Sequence, residues 1–291
     1  MSEAVSIPEA MLSSAEWRAR RAAHEARVDE LIAARRLRAQ RGEKEPVEDF
    51  LFTYYPFRFS ALQRWSPGVG VALEDAAEIA DGRRFAAGPD GLVRVISPDD
   101  EARGRLRFSL QLCRAVAARP AFLGCFGLHE WAMVYGMAEE RRHGAWPLRL
   151  GSAGTDEVVR STPVRCTHYD AFRFFTPGAR PLNKLTPTLE QRVENEQPGC
   201  VHANMDLYKW TMKAQPWVGS DLAADTFAFA REARAVDMRA SPYDFSSVGL
   251  RPICIETPEG RAEYEGEQRR LAKKAEPLRV RLMAALERAL V

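Results

Sequence analysis

The sequence predicts a mainly α-helical protein: one globular domain with a few short strands and a long C-terminal helix. Three observations predict it. Start and stop signals bracket segments of helical length, with Ser13 or Ser14, Asp99 and Ser220 at the beginnings and Pro120 and Pro216 just past the ends. Apolar residues gather on one side of such segments, as Leu222, Phe227, Ala230 and Ala233 do. Strand-like runs are few and short, chiefly Leu92 to Ile96 and Arg251 to Thr257. A chain of 291 residues buries a sizeable core without needing a second domain. The expected division is a basic helical arm over 1–45 and a helical catalytic domain over 46–291.

The first helix is expected from about Ser14 to Arg41, with Glu16 in its first turn. It is rich in Arg and Ala, and Leu31, Ile32 and Leu37 give it a thin apolar stripe. It reads as a solvated helix docked weakly on the body, as an oligomer contact, or as an arm that holds a nucleic-acid backbone. His24, among these charges, is expected to be exposed. From Phe50 follows the densest run of aromatics in the chain, punctuated by Pro56 and Pro67-Gly68. A core-wrapping loop with a short helix over Ser60 to Trp65, or the wall of a pocket for a planar ligand, would account for it. A helix from Asp99 or Asp100 reaches about Ala118. The next, through His129 and Glu130, is expected to end near Gly144, with Arg141, Arg142 and His143 suiting its C-terminal dipole. Thr155 is expected to cap a short helix. Further helices are expected over Val201 to Ala214 and Ser220 to Met238, and from Pro258 to Val291 with a bend at Pro277.

The formal net charge of +2 does not by itself imply a nucleic-acid partner. No apolar run approaches the ~18 residues of a membrane span, and the first ten residues lack the pattern of a secretory signal. Five Cys, an odd number, do not suggest a disulfide framework. The expectation is therefore a cytoplasmic protein with its cysteines reduced and buried.

The chemistry is concentrated between Cys166 and Trp210. There C-T-H-Y-D-A-F-R-F-F and E-Q-P-G-C-V-H-A-N-M-D-L-Y-K-W each set a Cys, a His and an Asp among aromatics. Burying such groups is costly unless each finds a partner, so two such segments point to a site. His202 and Asp206, four apart on one helix, would share a face; the Asp would orient the His, or both would hold one metal. His168 and Asp170 share a face if their segment is a strand and point apart if it is a helix. His129, His168 and His202 would supply three nitrogens to a transition metal, iron or zinc, with Asp206 or Glu130 as the oxygen ligand. His129-Glu130 does not continue into the H-E-x-x-H pattern, because Met133 stands where the second His belongs. Arg239, between Asp237 and Asp244, reads as an ion-pair hub or as a pocket arginine for an anionic substrate.

The set Y-Y-P with R-W-S-P-G, R-C-T-H-Y-D-A-F-R-F-F, E-Q-P-G-C-V-H-A-N-M-D-L-Y-K-W, D-M-R-A-S-P-Y-D and I-E-T-P-E-G-R-A-E-Y spans about Tyr54 to Tyr264. It resembles a bacterial group commonly labelled 3-methyladenine DNA glycosylase. The resemblance implies excision of alkylated bases from DNA without a cofactor. Such chemistry needs stacking aromatics, a carboxylate and a surface for phosphates. Tyr169, Phe172, Tyr208 and Trp210 are candidates for stacking, and Arg239 for holding the ligand. Asp206 or Asp170 would be the carboxylate beside His202 and His168, and the basic first helix would hold DNA. The alternative expectation is a metal-dependent enzyme, oxygenase-like or hydrolytic, acting on a small molecule.

Overall fold

The computed structural model describes residues 10–43, 45–137 and 146–291. It is mainly helical, with one small sheet and a long C-terminal helix. Strand β1 (Ala10–Leu12) leads into helix α1 (Ser14–Gln40). Ser13 caps α1 in a full capping box: its side chain accepts from the Glu16 N–H, and Glu16 returns a bond to the Ser13 N–H. Helices α2 (Pro46–Thr53) and α3 (Phe59–Gln63) follow, then strands β2 (Val71–Leu73), β3 (Phe85–Ala87) and β4 (Val93–Val95). The sheet order is β1-β2-β4-β3. β1 runs parallel to β2 in the register Ala10 to Val71, and β4 is antiparallel to both its neighbours. Trp17, Trp65, Leu73, Phe85 and Val93 make a small core of their own on this sheet.

The main core lies among the helices. Helix α4 (Asp100–Ala117), capped by Asp99, packs on α12 (Pro258–Leu290). Between them and α11 (Ser220–Arg239) run the short helices α9 (Val201–Met205) and α10 (Leu207–Lys213). Helices α5 (Leu128–Ala132), α6 (Gly151–Ser161), α7 (Tyr169–Phe172) and α8 (Arg192–Asn195) close the sides. Among the described residues, no helix is long and apolar enough to cross a membrane. All five cysteines are free thiols.

Several expectations are corrected. The first helix does not stand off as an arm: Trp17, Val28 and Ile32 are fully buried, and α1 packs on α3 and α11. Its arginines are largely engaged within the chain, Arg18 with Glu78, Arg27 with Asp225 and Arg35 with Asp49. His24 is buried, with Nε2 2.9 Å from the Leu62 carbonyl. The run from Arg251 to Thr257 is no strand, because no neighbouring strand is there to pair with it. Ile253 and Ile255 are buried by crossing the core, and the Ile253 N–H bonds the Arg239 carbonyl at the end of α11. The helix through His129 is short and gives way to turns before Gly136, which has φ +70°; Arg141, Arg142 and His143 lie outside the described residues. Thr155 sits inside α6, its hydroxyl donating to the Gly151 carbonyl. Ser220 is the first residue of α11 rather than its cap, and its hydroxyl bonds Ser66.

The docking of α1 is testable. Trp17→Ala empties a fully buried site, so equilibrium denaturation is expected to show a loss of about 3–5 kcal/mol. A near-neutral result would mean that α1 is not part of the core.

Candidate functional site

Two buried clusters meet around α9. The break between α9 and α10 falls at Asp206, which ends one helix and begins the next with αR backbone (φ −64°, ψ −11°). Its carboxylate is fully buried. Oδ1 accepts from the Tyr55 hydroxyl at 2.6 Å. Oδ2 receives Arg192 Nη2 at 3.1 Å, His168 Nε2 at 3.2 Å and the Lys209 ammonium. Burial alone would raise this carboxyl, but Lys209, His168 and Arg192 hold it well below the usual range. Arg192 also binds Glu196 Oε1 at 2.7 Å, and Lys209 binds Asp170 Oδ2 at 2.9 Å. His168 caps α7 in extended conformation and Asp170 lies inside it, so both reach the same cluster although α7 is a helix.

The second cluster joins α5, α9 and α11. His129 Nε2 lies 2.9 Å from Asp237 Oδ1, and Arg234 Nη1 lies 2.8 Å from both Asp237 Oδ2 and Glu130 Oε1. The His202 ring meets the His129 ring edge-on at 4.4 Å, and its Nε2 stands 3.9 Å from Asp237 Oδ2, beyond hydrogen-bond reach. One ligand atom from each of His129, Glu130, His202 and Asp237 falls within 4.8 Å of the others, and the same holds for His168, Glu196 and Asp206. Burial would lower His129, but Asp237 outweighs it and raises it. Burial would raise Asp237, but His129, His202 and Arg234 hold it down. For His202 burial outweighs the pull of Asp237 and pushes it down to about 3. It is therefore a neutral imidazole at physiological pH, and its Nδ1 has no hydrogen-bond partner.

A narrow cavity of about 30 Å³ opens between the clusters, enough for an ion or a few waters. His202, Glu130 and Arg234 line it from one side and Asp170 from the other, under Phe50, Tyr54, Phe174 and Tyr243. Buried polar atoms without partners gather here: His202 Nδ1, the Tyr54 hydroxyl and Arg234 Nε. Such groups in a folded core call for a ligand or water.

The expected site residues divide accordingly. His129, His168 and His202 stand in a row, His202 in the middle, its ring 5.5 Å from that of His168. The donor sets split between the two clusters, so Asp206 neither orients His202 nor joins a group with it. Asp237 takes that place, and Arg234 is the arginine of the pocket. Arg234 was hidden in sequence because α11 reads as an ordinary amphipathic helix, and Asp237 stood out only as a neighbour of Arg239 and the start of the D-M-R-A-S-P-Y-D stretch. Arg239 is instead an ion-pair hub with Glu263 and Glu267 at the end of α11. Tyr208 is fully buried against Tyr55, Phe57 and Phe227. Trp210 lies under the cations of Arg192, Lys209 and Lys213. Neither they nor Tyr169 lines the cavity. Cys166 is pushed up to about 12 by burial, and Cys125 and Cys200 are raised for the same reason, so none offers a thiolate. No protein-family model, no curated protein and no solved structure matches the chain.

Asp206→Asn removes the fully buried carboxylate that Arg192, Lys209 and His168 share, leaving Arg192 to Glu196 and Asp170 and Lys209 to Asp170, and a loss of about 3–5 kcal/mol in denaturant is expected. Because the folded pKa is depressed, this stabilisation is complete above the unfolded value of about 3.9 and is lost as the pH falls below it. The wild type is thus expected to lose stability over that acidic range faster than the Asn variant. Parallel acid profiles would contradict the role given to Asp206.

Proposed function

We propose that the protein is a metal-dependent enzyme acting on a small molecule, with its centre at His129, His202, Asp237 and Glu130. One observation carries the reading. A neutral, buried imidazole whose Nδ1 has no hydrogen-bond partner, His202, borders a cavity beside a second His and two carboxylates within mutual ligand distance. Two nitrogens with carboxylate oxygens suit iron or zinc among the common metals. The bound metal would activate water or dioxygen, or polarise a substrate oxygen, which covers both hydrolytic and oxygenase-like chemistry. The chain's own residues do the rest. Asp237 fixes the His129 ring, and Arg234 steadies both carboxylates from behind. Asp237 favours a proton on His129, and a bound metal would take the place of that proton. Phe50, Tyr54, Phe174 and Tyr243 limit access of water, and Asp170, held ionised by Lys209 and Arg192, faces the cavity as a fixed negative charge. Reduced cysteines throughout fit work in the cytoplasm.

A second reading, excision of an alkylated base, draws on the motif resemblance and on one feature of the cavity. The carboxylates of Asp170 and Glu130 lie under aromatic rings, a setting that favours a flat cationic group, and an alkylated purine is such a group. Under this reading Asp170 is the carboxylate, Tyr54 the nearest stacking ring, and no cofactor is needed. DNA would have to open the cavity, and α1 offers few unpaired arginines for its phosphates.

The readings separate in one preparation. Protein purified without a metal-affinity tag and reconstituted with iron or zinc is expected to hold about one equivalent, tightly, by elemental analysis. His202→Ala should lose it while keeping the fold by circular dichroism. Equal metal in wild type and His202→Ala would contradict the centre. The base-excision reading predicts release of free base from alkylated DNA by metal-free protein, abolished by Asp170→Asn.

A further inference from the structure

A cleft of about 310 Å³ lies at the C-terminal end of α4, where the loop before α9 meets the middle of α12. Ala117, Ala121, Pro198 and Val280 give it apolar walls, and its charged groups are Lys273, Glu276 and Arg279. Arg279 is 3 % exposed. Its Nη2 donates to Asn204 Oδ1 at 2.5 Å, and among the described residues no carboxylate comes within ion-pair distance of it. The other deeply buried arginines are different. Arg192 meets Asp170, Glu196 and Asp206, and Arg234 meets Glu130 and Asp237.

A buried guanidinium without an ion-pair partner is costly. Burial lowers Arg279 accordingly, and the Cys113 thiol near it is itself raised to about 12 and stays neutral. Glu276, exposed one turn back on α12, acts on the guanidinium from a distance and makes no ion pair with it. A hydrogen bond to Asn204 alone would not require the charge, since a glutamine could make it. Asn204 is already held by its own bond to the Pro198 carbonyl at 2.8 Å.

We propose that this cleft is a second binding site, taking a small aliphatic monocarboxylate. Its oxyanion sits on Arg279, whose planar fork suits a carboxylate. Lys273 flanks the mouth, and the short hydrocarbon body lies against Ala117, Ala121 and Val280. The sum of Lys273, Arg279 and Glu276 is one positive charge, which matches a monoanion better than a dianion. The volume is at the low end of about 300–1,000 Å³ for ligand pockets, which limits the body to a few carbons. The site rests on none of the metal chemistry above, although Asn204 ties it to the helix that carries His202.

The test is a calorimetric titration of the full chain with sodium butyrate, and separately with inorganic phosphate. Butyrate is expected to bind saturably. Lys273→Gln, a change at an exposed residue, should weaken it about fivefold, and Arg279→Gln should abolish it. If Arg279→Gln does not fold, Lys273→Gln decides. No saturable butyrate binding, equal binding by both variants and wild type, or saturation by phosphate with butyrate inert would each overturn the proposal.

Discussion

The centre of the molecule closes on the buried charge of Asp206. One carboxylate at the joint of α9 and α10 gathers a tyrosine from α2's end, the cap of α7, an arginine of α8 and a lysine of α10. These segments share no sheet; their apolar residues, Leu51, Tyr55, Ala171 and Phe172 among them, belong to the main core, and the charge adds the polar tie between them. Buried ions of this kind are poor sources of net stability compared with a well-packed apolar cluster, yet removing one partner is severe. They fix which arrangement the core adopts. Here the arrangement keeps His168, Asp170 and the aromatic edge of α2 against the helix that carries His202.

The second cluster uses the same kinds of groups differently. Asp206 is saturated by donors, while His168 Nδ1 beside it is buried without a partner. Around Asp237 one partner is missing: His202 stands beside the carboxylate but too far to bond it, and burial strips its proton. Each cluster keeps one histidine nitrogen without a partner, but of the two only His202 lines the cavity. The aromatics divide too, with Tyr208 and Trp210 packed on the Asp206 side and Tyr54, Phe174 and Tyr243 bounding the cavity.

Much of the fold was legible in the sequence because helix ends carry local signals. Ser13 with Glu16, Asp99, and Thr257 followed by Pro258 act within one turn, and their helices begin where these residues place them. What failed depended on distant partners. The Arg251 to Thr257 run has the composition of a strand but crosses the core where no strand lies beside it. His24 looked exposed because its burial is decided by the Leu62 carbonyl, 38 residues away. The stretch from Cys166 to Trp210 stands out as polar and aromatic, and His129, His168 and His202 come into question together although their spacing matches no metal motif; their rings do lie side by side. Spacing could not tell that α9 turns His202 toward Asp237 and its neighbour Asp206 the other way, since that choice is made by α11 and α8. Arg234 carried almost no signal and Asp237 stood out only beside Arg239, because charges on a long helix are most often solvated.

The measurement that bears most directly on the central claim is anomalous diffraction from crystals of the iron- or zinc-reconstituted protein, collected at the metal edge. The account predicts one strong peak between His129, His202 and Asp237, about 2.0–2.1 Å from the imidazole nitrogens. A peak instead at His168, Glu196 and Asp206, or no peak at the cavity floor in metal-saturated crystals, would contradict it.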